Sequence, residues 1–200
     1  MPCALRLDST SKSLLVVRGS PLYNRIVARM AKRKSWLKNQ MYKPVVFLDI
    51  DGVLNSKQWY AHDTASHEVI SPTDRELWEH SIDPDCVRRL NRILQQTGAV
   101  VIVSSSWRKT HALSEIVSIL ESRGFRGDVE GATSANGTLS GAEEITEWLA
   151  ENRPPGAAYV VIDDELTSAL PAERVVSPSN QTGLTDKDVE QAIAILSGTF

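Results

Sequence analysis

The sequence predicts an α/β fold, a three-layer sandwich in which helices cover both faces of a mostly parallel sheet. Three observations predict it. Short apolar runs, VVFL at Val45–Leu48, AVVIV at Ala99–Val103 and YVVI at Tyr159–Ile162, read as strands buried on both faces. Segments with apolar residues at helical spacing lie between them. Each run ends on polar groups: Asp49 and Asp51 after the first, Ser104 to Ser106 after the second, Asp163 and Asp164 after the third.

Two hundred residues suffice for one domain with a full core, expected over 44–200, and hardly for two. Residues 1–43 read as a basic arm, poorly ordered or partly helical. They hold ten Lys or Arg against one acid, a balance of +9, whereas the remainder holds 12 basic and 24 acidic residues, a balance of −12. Such an arm can contact nucleic acid or an anionic membrane surface, or serve as an organellar address. A start at Met30 or Met41 would remove much of it. Within it Arg25 to Lys38 can form a basic helix.

No membrane partner is expected of the rest. The longest apolar stretch, AAYVVI at Ala157–Ile162, is far short of the roughly 20 residues of a spanning helix. LLVV at Leu14–Val17 is too short for a secretory leader. Cys3 and Cys86 form no C-x-x-C pair, so neither a disulfide framework nor a structural zinc site is expected, and the cytoplasm is the expected compartment. Oligomeric state is not legible.

The first strand, Val45 to Leu48, runs into Asp49-Ile50-Asp51-Gly52. The interval from Ser56 to Ile82 has no clear period beyond a short helix around Thr73 to His80, and reads as a flap or small cap insert. Asp83 followed by Pro84 makes an N-cap with proline at the first helical position. Val87, Leu90, Ile93 and Leu94 line one face of that helix, and Gly98 ends it. After the second strand a helix covers His111 to Ser122, with Leu113, Ile116, Val117 and Leu120 inward and Gly124 as its stop. A weak strand near Asp128–Glu130 follows, then a Gly/Ser/Asn-rich loop and a helix over Ala142–Glu151, closed by Pro154, Pro155 and Gly156. After the Tyr159–Ile162 strand, a short strand near Val175 and a helix over Asp186–Leu196 complete the domain.

In an open parallel sheet, ligands bind beyond the carboxyl ends of the strands, where the strand order reverses. If the chain winds outward from the first strand and then crosses back, the Asp163 strand neighbours the Asp49 strand and four carboxylates converge. Like charges so close raise one another's pKa or require a cation. Oxygen ligands without His or Cys favour Mg²⁺, which binds through few carboxylates, several waters and substrate phosphate. The pattern therefore points to a metal and a phosphorylated substrate.

FLDIDGVLN resembles the first motif of the haloacid dehalogenase-like (HAD) superfamily, hhhhDxDGxx; VIVSSSWR resembles the second and YVVIDDE the fourth. DIDGVLN with SSSWR, EEITEWL, VIDDE and a late GLT is similar to the HAD domain of Swiss Army Knife RNA-repair proteins, from about Pro44 to the end. The resemblance implies a Rossmannoid fold and a Mg²⁺-dependent phosphatase that works through an aspartyl-phosphate. It implies Asp49 as nucleophile and Asp51 as general acid and base, with Ser104 or its neighbour Ser105 on a phosphoryl oxygen. It implies a Mg²⁺ site of Asp49, the Asp51 backbone carbonyl, Asp163 and Asp164. The family's basic residue before the last acidic motif is missing from TLSGAEEITEWL. Arg108, Lys109 or Arg153 can supply the charge, and Arg108 is preferred because it lies just past the second strand.

Three functional readings stay open: a phosphatase for nucleotide or nucleic-acid terminal phosphates, a HAD-like binding module for nucleic acid or a partner with little turnover, and a small-metabolite phosphatase. A zinc site of His62, His67, His80 and Cys86 fits no compact spacing. Trp59, Tyr60 and Trp78 can stack on a base or pack the flap down, with packing preferred. Trp107 and Trp148 read as packing residues, and Ser106 as an N-cap or turn residue.

Overall fold

The computed structural model describes residues 19–21, 23–28, 42–66, 79–135, 137, 139–165 and 170–198, of which 63–66 are described by their backbone alone. It divides into two units, Met1–Tyr42 and Lys43–Phe200. In the first, 23–28 are helical, which covers the start of the expected basic helix; the rest of that segment lies outside the described residues.

Among its described residues the second unit is built on five strands: β1 Val45–Leu48, β2 Val100–Val103, β3 Val129–Ala132, β4 Tyr159–Ile162 and β5 Val175–Val176. All pairs are parallel, in the order β3-β2-β1-β4-β5. The chain winds outward through β2 and β3, then crosses to β4 on the other side of β1, so the order reverses at β1. Every residue of β1 and β2 is buried, as expected for strands covered on both faces.

Helices α1 Lys57–Ser66, α2 Pro84–Thr97, α3 Leu113–Ser122, α4 Gly141–Asn152 and α5 Asp186–Ser197 accompany the sheet. The period-two alternation of the strands divides the core into two layers. Val46, Leu48, Val101, Val103, Val160 and Ile162 join residues of α2, α3 and α5 on one face. Val45, Phe47, Val100, Ile102 and Val161 meet Ile145, Trp148 and Leu149 of α4 on the other. The Trp148 and Phe47 rings pack edge to face, 5.4 Å between centroids.

Local signals explain the helix ends. Asp83 caps α2 by accepting from Asp85 N at 2.8 Å, Pro84 occupies the first turn, and Gly98 closes it at φ 66°. On α3 the buried face is Ile116, Ile119 and Leu120, so Ile119 takes the place expected of Val117. The flap differs more. Helix α1 occupies its first part, where KQWYAHDTAS clusters Trp59, Tyr60 and Ala61 and so presents no apolar stripe. Backbone carbonyls of Asn180 and Gln181 accept from Lys57 N and Gln58 N, tying the start of α1 to a distant loop. Trp59 Nε1 donates to the His80 carbonyl at 2.8 Å and its ring stacks on His62, which is the packing role expected of it. Of the helix expected over Thr73–His80, only 79 and 80 are described, and they are helical, as is 81; Trp78 and His67 lie outside the described residues.

Candidate active site

Register brings the polar residues together. Leu48 pairs with Val103 on one side and Ile162 on the other, so the next residue of each strand, Asp49, Ser104 and Asp163, emerges at the same level. Asp49 N donates to Ile162 O at 3.0 Å and Ser104 N to Leu48 O at 2.9 Å, continuing both ladders one step further. A cavity of about 620 Å³ opens there, with Asp49, Asp51, Ser104, Asp163 and Asp164 in its wall.

Asp49, Asp163 and Asp164 each offer a carboxylate oxygen within 4.8 Å of the others, a set that could hold a metal ion. Burial, and then the charge of Asp163, push the Asp49 carboxyl up from 3.8 to about 7, against the opposing hydrogen bonds from Ser105 and from Ile50 N at 2.8 Å. Asp164 is raised for the same two reasons in the same order, burial and Asp163. The oxygen donors fit a hard divalent cation, whose charge would relieve this repulsion. Asp163 is 7% exposed and its Oδ1 accepts from Glu165 N at 2.9 Å.

The Asp51 side chain stands apart from that cluster. Its Oδ1 accepts from Asn55 Nδ2 at 2.9 Å and its Oδ2 from Trp107 Nε1 at 3.0 Å. Any share it takes in a metal site therefore falls to its backbone carbonyl in this arrangement. Gly52 turns the chain at φ 71°, in the left-handed region.

The two serines after β2 divide the work. Ser104 Oγ is buried, has no hydrogen-bond partner among the described residues and lies on a residue of the cavity wall. Ser105, 1% exposed, bonds Asp49 and caps the 3₁₀ turn Ser106–Lys109 by accepting from Trp107 N. Of the two roles expected of Ser106, N-cap or turn residue, it takes the second as the first residue of that turn, and Ser105 supplies the cap.

Arg108 lines the cavity, but its guanidinium is committed elsewhere. It donates to the carbonyls of Ser104, Ser105 and Ser134 and pairs with Glu144 of α4, with both side chains buried. The free cation expected of Arg108 is therefore absent from this arrangement, because Glu144 claims the charge. Arg153 pairs with Glu130 at 2.6 Å and is not part of the cavity wall. Lys57 and Lys109 do line it.

Asn55, Tyr60 and the Trp107 indole were not assigned to the site from sequence. DGVLN does place Asn55 four residues after Asp51, a spacing that a tight turn folds back onto the carboxylate. Nothing in SSSWR announces that the indole N–H would cross to the β1 loop. Among the described residues no helix is long and apolar enough to cross a membrane.

A family model described as the HAD domain in Swiss Army Knife RNA repair proteins matches residues 45–189. No curated protein and no solved structure matches the chain.

Proposed function

Because the chain belongs to the family of HAD domains in Swiss Army Knife RNA repair proteins, we propose that it is a Mg²⁺-dependent phosphatase acting through an aspartyl-phosphate. The observation that carries this reading is the convergence of Asp49, Asp163 and Asp164 beside the Ser104 hydroxyl, which has no partner among the described residues. Asp49, Asp163, Asp164 and the Asp51 carbonyl would hold Mg²⁺, which when bound neutralises carboxylate and phosphate charge so that one anion can approach another.

An Asp49 carboxylate oxygen attacks phosphorus as the bond to the leaving oxygen breaks. That oxygen keeps the electron pair and takes the proton of Asp51. In the second half Asp51, now a carboxylate, removes a proton from water, and the water oxygen attacks the same phosphorus. The bond to Asp49 breaks, its carboxylate returns, and inorganic phosphate leaves with Asp51 protonated again. Ser104 donates to a non-bridging phosphoryl oxygen. Lys109 and Lys57 supply the positive charge that Arg108 spends on Glu144.

The substrate class we assign is a phosphate on a nucleotide or at a nucleic-acid end. Tyr60, 43% exposed, and Leu139, 38% exposed, line the same cavity as the two lysines, and so offer stacking and apolar surface beside cations. The arm 1–43, in the cytoplasmic protein we envisage, would add affinity for the polyanion. One observation favours a second reading, a binding module with little turnover: the engagement of Arg108 by Glu144.

Phosphate release with Mg²⁺, from an aryl phosphate and from 3′- and 5′-phosphorylated oligonucleotides, tests the proposal in wild type and Asp49→Asn side by side. Turnover by wild type that Asp49→Asn abolishes supports it. No turnover by wild type, or equal turnover by both, contradicts it.

A further inference from the structure

A carboxylate at a cavity mouth has no fixed direction unless something holds it, and Asp51 is exposed. Two donors from different segments nevertheless grip it, one on each oxygen: Asn55 Nδ2 at 2.9 Å and Trp107 Nε1 at 3.0 Å. Both donors come from buried residues, Asn55 2% and Trp107 4% exposed.

The Asn55 amide is itself fixed. Its Oδ1 accepts from Gly52 N at 2.8 Å, and its Nδ2 also donates to the Tyr60 hydroxyl at 3.1 Å. The amide therefore cannot flip without losing its partners. Trp107 is held by the Ser105 cap, and the single polar group of its indole goes to Asp51. Filling apolar space requires no N–H, so packing alone does not account for that bond to Asp51.

We infer that Asn55 and Trp107 are positioning residues that aim the Asp51 carboxylate at the leaving oxygen and hold it away from the Asp49, Asp163 and Asp164 cluster. The inference rests on the phosphatase reading and names what makes two carboxylates two residues apart do different work. Each oxygen of Asp51 accepts from one of these donors, so the carboxylate is fixed and its remaining lone pairs are presented in one orientation. Proton transfer to and from a reacting oxygen needs that aim as much as it needs the proton.

The test compares two monoesters, p-nitrophenyl phosphate, whose leaving group departs without a proton, and an alkyl phosphate, whose leaving group requires one. In Trp107→Phe, kcat/KM for the alkyl ester is expected to fall by about tenfold or more beyond any fall for the aryl ester, with KM little changed. Added to Asp51→Asn, Trp107→Phe should cost nothing further, since the group it aims is gone. Asn55→Ser, measured the same way, replaces Trp107→Phe if the latter does not give a cooperative melt. Equal falls on both esters, or additive losses in the double variant, would overturn the inference and leave the phosphatase reading standing. Absence of Asp49-dependent turnover in wild type would overturn both.

Discussion

A side chain at Gly52 would collide with Asp164: a Cβ built there lies 2.3 Å from Asp164 Oδ2 and 2.4 Å from its carboxyl carbon. The turn at the two aspartates after β1 thus leaves room for the acid that follows β4. Gly52→Ala carries two penalties, about 1–2 kcal/mol for a left-handed alanine and the displacement of a proposed metal ligand. We predict a modest loss in urea denaturation and a loss of Mg²⁺ affinity by about tenfold or more, measured by calorimetric titration. Unchanged Mg²⁺ affinity would contradict the close packing of the two segments.

The serines after β2 should respond in opposite ways. Ser104→Ala removes a buried hydroxyl without a partner among the described residues, so stability should hold or rise slightly while kcat/KM falls. Ser105→Ala removes a cap and a bond to Asp49, and should cost about 1 kcal/mol of stability. Thermal melts and turnover of the two variants check this together; a destabilised Ser104→Ala would refute the assignment.

Arg108 and Glu144 join the loop after β2 to α4 through a pair with side chains 7% and 3% exposed. Such pairs gain little net stability when formed but cost much when one partner is removed. Glu144→Ala should therefore lose about 3–5 kcal/mol in urea, with Glu144→Gln losing less because its amide oxygen still accepts. A loss below about 1 kcal/mol would mean that water reaches the guanidinium.

Stability should depend on pH through Asp49. Its carboxyl titrates near 7 in the folded, ion-free protein and from an ordinary value of 3.8 otherwise. Between about pH 4 and 7 the folded state holds a proton that the unfolded chain has released, so this group's contribution declines as pH rises through that window and is flat above it. Mg²⁺ must displace that proton. The rise in Tm on adding Mg²⁺ should accordingly be larger at pH 8 than at pH 5.5, and Asp49→Asn should flatten the ion-free slope. A Mg²⁺ effect equal at both pH values would contradict the shift.

Much of this was legible in the chain because parallel strands buried on both faces must be continuous apolar runs, and VVFL, VVIV and YVVI are such runs. The polar residue after each then marks the site, since one register aligns all three ends. Helix α1 was hidden because Trp59 and Tyr60 hold it through particular contacts rather than through an apolar stripe. Arg108 looked available because sequence does not reveal that Glu144, 36 residues on, would meet it. Trp107 packs in the core as its large ring leads one to expect, but the ring conceals the one N–H that reaches Asp51.

The central claim is that the Asp49 carboxylate attacks phosphorus. Rapid acid quench of wild type with ³²P-labelled substrate and Mg²⁺, followed by peptide mapping, tests it most directly. The account predicts an acid-stable, hydroxylamine-labile label on the peptide carrying Asp49, absent from Asp49→Asn. Phosphate released at the wild-type rate with no label on the protein, or with the label on another residue, would contradict it.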